Sequence, residues 1–155
     1  MGLAMGCPHT QLVNTCAQYG KLQQLEHIKL IITHHNILLC DPDNRQRYAQ
    51  YCSAADSAAK FGHLCVLKWL RSQDPPCPWS EDCCNTAAYG GHLDVLKCLR
   101  SQDFPCPWHE ATCNAAASGG YLDILKWLRS QDPPCPWSED CCNTAAYGGH
   151  LDVLK

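Results

Sequence analysis

Apolar side chains in the second part of the chain recur with the spacing of short amphipathic helices. Within residues 80–89, Cys84, Ala87 and Ala88 fall on one narrow stripe of a helix. Within residues 93–101, the apolar positions again share one face of a helix, and this face is wider. Glycines separate the two segments and prolines follow the second, and both residue types end helices. The pattern therefore predicts a pair of short helices joined by a tight turn.

Single residues predict further details of this helix pair. Ser80 is suited to cap the first helix, because a serine hydroxyl can accept a hydrogen bond from the first turn. On the second helix, Lys97 and Arg100 are expected to point toward water. The residues expected to be buried on that helix are Leu93, Val95, Leu96 and Leu99.

The same helix pair recurs at regular intervals along the chain, with a period of 29. Tryptophans and glycines mark this period at Trp79, Trp108 and Trp137 and at Gly62, Gly91, Gly120 and Gly149. Residues 79–97 recur unchanged as 137–155, which indicates duplication of one unit. We divide this part of the chain into repeats at 50–78, 79–107 and 108–136 and a partial repeat at 137–155.

Residues 1–49 are predicted to form an amino-terminal cap that contains a degenerate copy of the repeat. Residues 14–20 align with the first helix of the later repeats, and apolar residues follow at the spacing of the second helix. The step from Gly20 to Gly62 is longer than the period that the later glycines keep, so this copy carries an insertion. We expect the insertion to lengthen the second helix and to add a polar loop.

One such helix pair is too small to be stable by itself. Isolated helices shorter than about 12–15 residues are marginal in water, and each predicted helix has roughly ten. Small alanine, glycine and cysteine residues on the first helix allow neighbouring repeats to approach closely. We therefore predict an all-α fold, a solenoid of helix-turn-helix repeats joined by short proline-rich links such as residues 75–79.

Residues 87–99, which read Ala-Ala-Tyr-Gly-Gly-His-Leu-Asp-Val-Leu-Lys-Cys-Leu, resemble the ankyrin repeat. In that family an Ala-Ala pair, a Gly-His step and a second helix rich in Val and Leu recur in this order. The chain departs from the ankyrin period of 33 and has Asp-Cys-Cys-Asn at residues 82–85 in place of Thr-Pro-Leu-His. The resemblance implies a divergent ankyrin-like subtype with a Cys-Pro-Trp link in place of the β-turn finger. Tetratricopeptide repeats, with a period of 34, are the structural alternative.

The resemblance also implies a function, because first-helix residues on the concave side of ankyrin arrays contact partner proteins. Asp82, Thr86 and Tyr89 differ between repeats, and their spacings of four and three place them on one helix face. Drift on a solvent-facing surface would produce the same variation. The predicted partner-binding residues are Asp82, Thr86, Tyr89, Ser118, Asp140, Thr144 and Tyr147. We expect a non-catalytic, monomeric scaffold that binds another protein.

Composition and charge disfavour several other functions. The chain of 155 residues has a formal net charge of -3 and no basic stripe, which argues against binding to nucleic acid. It has neither an apolar run long enough to cross a membrane nor the leader of a secreted protein. We therefore expect an intracellular protein of the cytoplasm or nucleus. No phosphate-binding glycine loop or catalytic-triad order is present, so we expect neither an enzyme nor a cofactor.

Cysteine is over-represented, with 14 residues, and this supports an alternative function as a structural module that binds zinc or senses redox state. One repeat offers the candidate ligands Cys77, Cys83, Cys84 and His92. The next repeat has Thr112 and Tyr121 at two of the corresponding positions, so a zinc site could not close there. We therefore expect no metal site, and thiols that pack as small apolar side chains.

Two other repeated residue types are expected to have structural roles, namely His63, His92 and His150, and Trp79, Trp108 and Trp137. The histidines follow a glycine where the second helix begins, and we expect them to bond to nearby backbone. The tryptophans follow a Cys-Pro pair, and we expect them to pack over the joints between repeats. Lys155 falls inside a predicted second helix, so we expect the chain to be a fragment or a truncated product.

Overall fold

The computed structural model describes residues 15–21, 23, 45–72 and 76–155, so most of the predicted cap at 1–49 lies outside the described residues. Every regular element within this part of the chain is an α-helix, which confirms the predicted all-α class. The helices are α1 (Arg45–Lys60), α2 (Leu64–Arg71), α3 (Cys83–Gly90), α4 (Leu93–Arg100), α5 (Glu110–Ser118), α6 (Leu122–Arg129), α7 (Asp140–Tyr147) and α8 (Leu151–Leu154). None of these helices is both long enough and apolar enough to cross a membrane.

The helices form pairs, each with a first helix (α1, α3, α5 or α7) and a second helix joined by a turn of two or three residues. Helix α3 begins at Cys83, three residues later than predicted, and Ser80 lies in the link before it. Ser80 Oγ donates a hydrogen bond to the Asp56 carboxylate of the preceding repeat and accepts the N–H of Asp82 at 3.2 Å. The hydroxyl that was expected to cap one helix therefore joins two repeats.

The first helices pack against one another in sequence order, and each second helix packs on its own first helix. Alanine allows the close approach of the first helices, since Ala58, Ala59, Ala87, Ala88, Ala116 and Ala117 are fully buried. The core continues onto the second helices through Val66, Leu67, Leu70, Val95, Leu96, Leu99, Ile124 and Leu128. The predicted stripe on α3 is confirmed but is wider than expected, because Cys83 is also fully buried.

A left-handed glycine ends α3 and turns the chain into α4. Gly91 has a φ of +78°, a conformation that L-residues with a side chain adopt only with strain. The N–H of His92 then reaches back to the Ala87 carbonyl at 3.0 Å, which satisfies a carbonyl at the helix end. The same positive φ recurs at Gly20, Gly62, Gly120 and Gly149, so residues 15–21 share the local geometry of the later turns.

Each proline-rich link folds back over the end of the preceding second helix. After α4, the Cys106 N–H donates to the Leu99 carbonyl at 3.0 Å, and Arg100 Nη1 donates to the Cys106 carbonyl at 2.7 Å. The corresponding bonds recur after α2 and α6. The prediction that Arg100 points toward water is wrong: it is half-buried, and its guanidinium carbon lies 3.9 Å from the centre of the Trp108 ring. The link therefore provides both contacts of the Arg100 side chain, the Cys106 carbonyl and the Trp108 ring.

Candidate partner-binding surface

The predicted site residues Asp82, Thr86 and Tyr89 lie along one side of α3, with Asp82 directly before its first residue. Asp82 and Tyr89 are exposed, with 57% of Tyr89 accessible, and Thr86 is half-buried between them. Thr86 Oγ1 lies 3.0 and 3.1 Å from two backbone carbonyl oxygens of the preceding turn, so its hydroxyl turns back onto the helix. Asn85 Nδ2 donates to the Asp82 carboxylate at 3.3 Å. Lys60 of α1 extends the surface, with its Nζ 5.9 Å from the centre of the Tyr89 ring.

A shallow groove lies between the carboxyl ends of α5 and α7 and brings three predicted site residues together. The groove has a volume of about 320 Å³ and is lined by Ser118, Asn143, Thr144, Tyr147 and Gly148. Tyr147 is 99% exposed, and Asp140 is exposed one turn before Thr144. The structure thus groups Ser118, Thr144 and Tyr147, while Asp82, Thr86 and Tyr89 lie outside the groove, on and just before α3, which packs on the other side of α5.

Side-chain hydrogen bonds connect each first helix to the next through one polar position, which was not among the predicted site residues. Asp56, Asn85 and Asn114 occupy this position in successive repeats, and each accepts hydrogen bonds from the repeat that follows. Their respective donors include Cys83 Sγ at 3.0 Å, Thr112 Oγ1 at 2.6 Å and Cys141 Sγ at 2.7 Å. Burial raises the pKa of the Asp56 carboxyl, although the hydrogen bonds from Cys83 and Ser80 oppose this. An Asp or Asn that recurs once in each repeat was the signal available in the sequence.

A histidine or tyrosine side chain directly before each second helix contacts the preceding repeat. The Nε2 atoms of His63, His92 and His150 lie 2.8, 3.1 and 3.0 Å from the carbonyl oxygens of Gln18, Lys60 and Ser118. Because a carbonyl oxygen only accepts hydrogen bonds, Nε2 carries the proton in each histidine. The rings also cover glycines, since a Cβ added to Gly62 would lie 2.7 Å from the His92 ring. The prediction that these histidines bond to backbone is confirmed, and the bonds cross between repeats.

Trp108 packs over a joint between repeats, as predicted. Its ring contacts Arg100 of the preceding repeat and lies edge-on to Trp127 of its own repeat, with 6.1 Å between ring centres. Trp79 has a similar partner in Arg71, whose guanidinium carbon lies 5.0 Å from the ring centre. These stacked pairs connect the second helix of one repeat to the link that begins the next.

A second groove, on the side of the links, was missed by the sequence analysis. It has a volume of about 410 Å³ and is lined by Arg71, Pro76, Pro78, Trp79, Phe104, Pro105 and Pro107. Phe104 is 81% exposed at this groove. The available signal was the replacement by Phe104 of a proline that the other two links carry at this position, Pro75 and Pro133.

Buried thiols occupy the interior between repeats. The structure shows thiols, not disulfides, at Cys83, Cys84, Cys106, Cys113, Cys135 and Cys141, all of them buried. The pKa of Cys83 is raised by its hydrogen bond with Cys106, by burial and by the Asp56 carboxylate. A thiol with a raised pKa stays protonated at neutral pH, which makes it a weak nucleophile and a weak metal ligand. Within the residues that the structure describes, no three His, Cys, Asp or Glu side chains are grouped as metal ligands.

The exposed side of the first helices therefore combines carboxylates and tyrosines on a framework that repeats along the chain. Tyrosine suits a binding surface because its ring is apolar and its hydroxyl can form a hydrogen bond. No protein-family model, curated protein or solved structure matches this chain.

Proposed function

We propose that this protein is a non-catalytic scaffold, an ankyrin-like solenoid that binds a partner protein through the exposed side of its first helices. The observation that carries the proposal is the contrast between buried and exposed first-helix positions. Buried positions keep small residues, such as Ala87 and its counterpart Ala116, which are both fully inaccessible. Exposed positions change chemistry, as from Tyr89 to Ser118. A constant interior beneath a variable surface is typical of repeat proteins that bind other macromolecules.

The repeated local geometry supports the solenoid. The left-handed glycine, the backbone bond across it and the polar contact to the following repeat recur with the period of the sequence. Such nearest-neighbour contacts are the interactions that stabilise a linear array of repeats.

The chemistry of the surface supports binding over catalysis. Thr86 and Thr144 direct their hydroxyls at carbonyl oxygens of their own helices, an arrangement that gives neither hydroxyl a base for activation as a nucleophile. Tyr89 and Tyr147 instead offer exposed aromatic surface, which is favourable for contact with a partner.

The test compares how well two variants capture partner proteins. Each variant removes one charge, and the substituted side chains are exposed in both. The site variant combines Asp82→Ala, Tyr89→Ala and Tyr147→Ala, and the control variant carries Lys97→Ala on the exposed side of α4. We expect both to retain the helical circular dichroism of the unmodified protein. Quantitative mass spectrometry of captured proteins should show partners lost from the site variant and retained by the control. Equal capture by the site variant and the unmodified chain would reject this surface.

A further inference from the structure

The groove on the side of the links lies between two successive links. Residues of both links line it, together with one residue at the end of α2, and these are Pro76, Pro78, Trp79, Phe104, Pro105, Pro107 and Arg71. Pro105 and Pro107 are exposed, as is Phe104. We call this surface of about 410 Å³ the link groove. None of the predicted partner-binding residues lines it, so it can be tested separately from the surface proposed above.

Phe104 distinguishes its link from the other two. The links before α3 and α7 have Pro75 and Pro133 at the position of Phe104. A large apolar side chain that is mostly in contact with water gains free energy when a partner covers it. Trp79, which is half-buried, lines the same groove. Two aromatic side chains therefore lie among proline rings on one surface.

The side chains that line the link groove offer hydrogen-bond donors and no acceptors. Arg71 and Trp79 carry donors only, and the side chains of proline and phenylalanine form no hydrogen bonds. Within the part of the chain that the structure describes, Arg71 Nε and Trp79 Nε1 are buried and have no hydrogen-bond partner. Because an unsatisfied buried donor costs free energy, the groove is complementary to a ligand that is rich in acceptors.

Arg71 gives the link groove one positive charge. Its Nη1 donates to the Cys77 carbonyl at 2.9 Å, and its guanidinium carbon lies 5.0 Å from the centre of the Trp79 ring, so the charge is held at a fixed place. None of the described residues that line the groove is negatively charged. Asp103 precedes Phe104 in the chain but does not line the groove. A ligand with one carboxylate would therefore match the charge of this surface.

We propose that the link groove binds a proline-rich segment of a partner protein, and that this segment carries one acidic residue. A proline has a carbonyl but no backbone N–H, so the segment brings acceptors without adding donors that the groove could not satisfy. Proline-rich segments already hold the extended polyproline II conformation, which reduces the entropy lost on binding, and they dock in grooves lined by aromatic side chains.

The two donors of the groove have different roles in this complex. The guanidinium of Arg71 pairs with the carboxylate of the segment. The indole N–H of Trp79 donates to a carbonyl of the segment. This second bond requires the half-buried indole to shift toward the groove, since its Nε1 is buried in the free protein.

The test follows the indole N–H signal of Trp79 by nuclear magnetic resonance while a peptide is added to the full chain. The probe is a synthetic peptide of about eight prolines with one glutamate at its centre and with both ends blocked, so that the glutamate is its only charge. The variant Trp79→Phe identifies the signal by its loss. We expect the signal to shift in a saturable manner. No shift at millimolar concentrations of peptide would overturn the proposal.

The two phenylalanines of the chain provide a matched pair of variants. Phe104→Ala removes an exposed ring that lines the groove, and Phe61→Ala removes an exposed ring in the turn between α1 and α2. Both variants should keep the helical circular dichroism of the unmodified chain, because substitutions at exposed positions change stability little. We expect Phe104→Ala to weaken peptide binding at least about fivefold and Phe61→Ala to leave it unchanged. Equal affinities of Phe104→Ala and the unmodified chain would contradict the proposal.

Changes in the peptide separate the contribution of proline from that of charge. Alanine at every second proline adds backbone N–H groups and loosens the extended conformation, so we expect binding to weaken at least about fivefold. Lysine in place of the glutamate should have a similar effect, since it places a like charge beside Arg71. A glutamate peptide without proline that binds as tightly as the probe would overturn the proposal. A shift that follows protein concentration without peptide would also overturn it, because a second copy of the chain would then occupy the groove.

Discussion

His92 Nε2 donates a hydrogen bond to the Lys60 carbonyl oxygen at 3.1 Å and so connects the start of α4 to the end of α1. Lys60 is the last residue of α1, and the carbonyls of a last helical turn have no partner within their own helix. The His92 ring also lies against Gly62. The His92 side chain therefore supplies a hydrogen bond to the last residue of α1 and packs on Gly62 in the turn that follows.

His92→Ala should lower the free energy of unfolding by about 1–3 kcal/mol, because it leaves the Lys60 carbonyl without its partner and opens a gap over Gly62. His92→Tyr should retain most of the stability, since Tyr121 occupies the corresponding position one repeat later. Urea denaturation of the two variants measures the difference. Equal losses for alanine and tyrosine would contradict the role assigned to the ring.

Gly91→Ala and Gly149→Ala separate backbone strain from crowding. Both glycines have similar positive φ, +78° and +74°, so alanine at either position should cost about 1–2 kcal/mol in backbone strain. At Gly91 the added Cβ would also collide with the Tyr121 ring, whereas at Gly149 it meets no atom of the described residues within 4 Å. We expect Gly91→Ala to lower the free energy of unfolding by at least about 1 kcal/mol more than Gly149→Ala. Similar losses in chemical denaturation would show that the ring can move aside at little cost.

Asp56→Asn should stabilise the protein at neutral pH. Burial raises the pKa of Asp56 in the folded state above its unfolded value, so the folded state binds more protons between these two values. The contribution of Asp56 is therefore fully present below pH of about 4 and is lost as pH rises through the folded pKa. Asparagine occupies the same position in the following repeats and accepts the same kind of hydrogen bond.

The expected gain for Asp56→Asn at pH 7 is at most about 1 kcal/mol, because the carboxyl is partly exposed and solvent screens its charge. Unfolding measured from pH 3.5 to pH 8 should show the two proteins converging at the acidic end. A variant that is less stable than the unmodified chain at pH 7 would indicate that the ionised carboxylate is the better acceptor for Cys83 and Ser80.

Arg100→Ala should lower the free energy of unfolding by about 1–3 kcal/mol, because Arg100 both holds the Cys106 carbonyl and stacks on Trp108. Arg100→Lys should recover only part of this loss, since an ammonium group has no planar face to stack. Thermal unfolding and the fluorescence of the tryptophans report on the fold and on the joint. Lys97→Ala, on the exposed side of the same helix, is the control and should change stability little.

Thiol reactivity tests the alternative of a zinc-binding or redox-sensing module. In the native protein, exposed Cys65 and Cys142 should be alkylated first, whereas Cys83 and Cys113 should be protected by burial. In denaturant without reductant, all 14 cysteines should react. Fewer than half reacting, or zinc bound in stoichiometric amount to the purified chain, would favour the alternative over the scaffold.

Much of the candidate surface could be predicted from the sequence, because repetition separates positions that must stay small from positions that vary. Asp82 and Tyr89 are exposed as expected. The grouping of Ser118 with Tyr147 around one groove could not be predicted, since it depends on how far apart α5 and α7 lie. The replacement of a link proline by Phe104 was visible in the sequence, but that Phe104 and Trp79 line one groove depends on how the two links pack.

The sequence by itself determined the helix pairs and the period at which they recur, because helical spacing, glycine turns and proline stops act over a few neighbouring residues. Only the tertiary structure decided that Ser80 bonds to Asp56 instead of capping α3, and that Arg100 lies on Trp108. Ser80 was expected to cap its own helix and Arg100 to face water, and contacts supplied by the adjacent repeat or link took the place of both. The preference of a polar side chain for one of two partners depends on distances in space, which spacing along the chain does not contain.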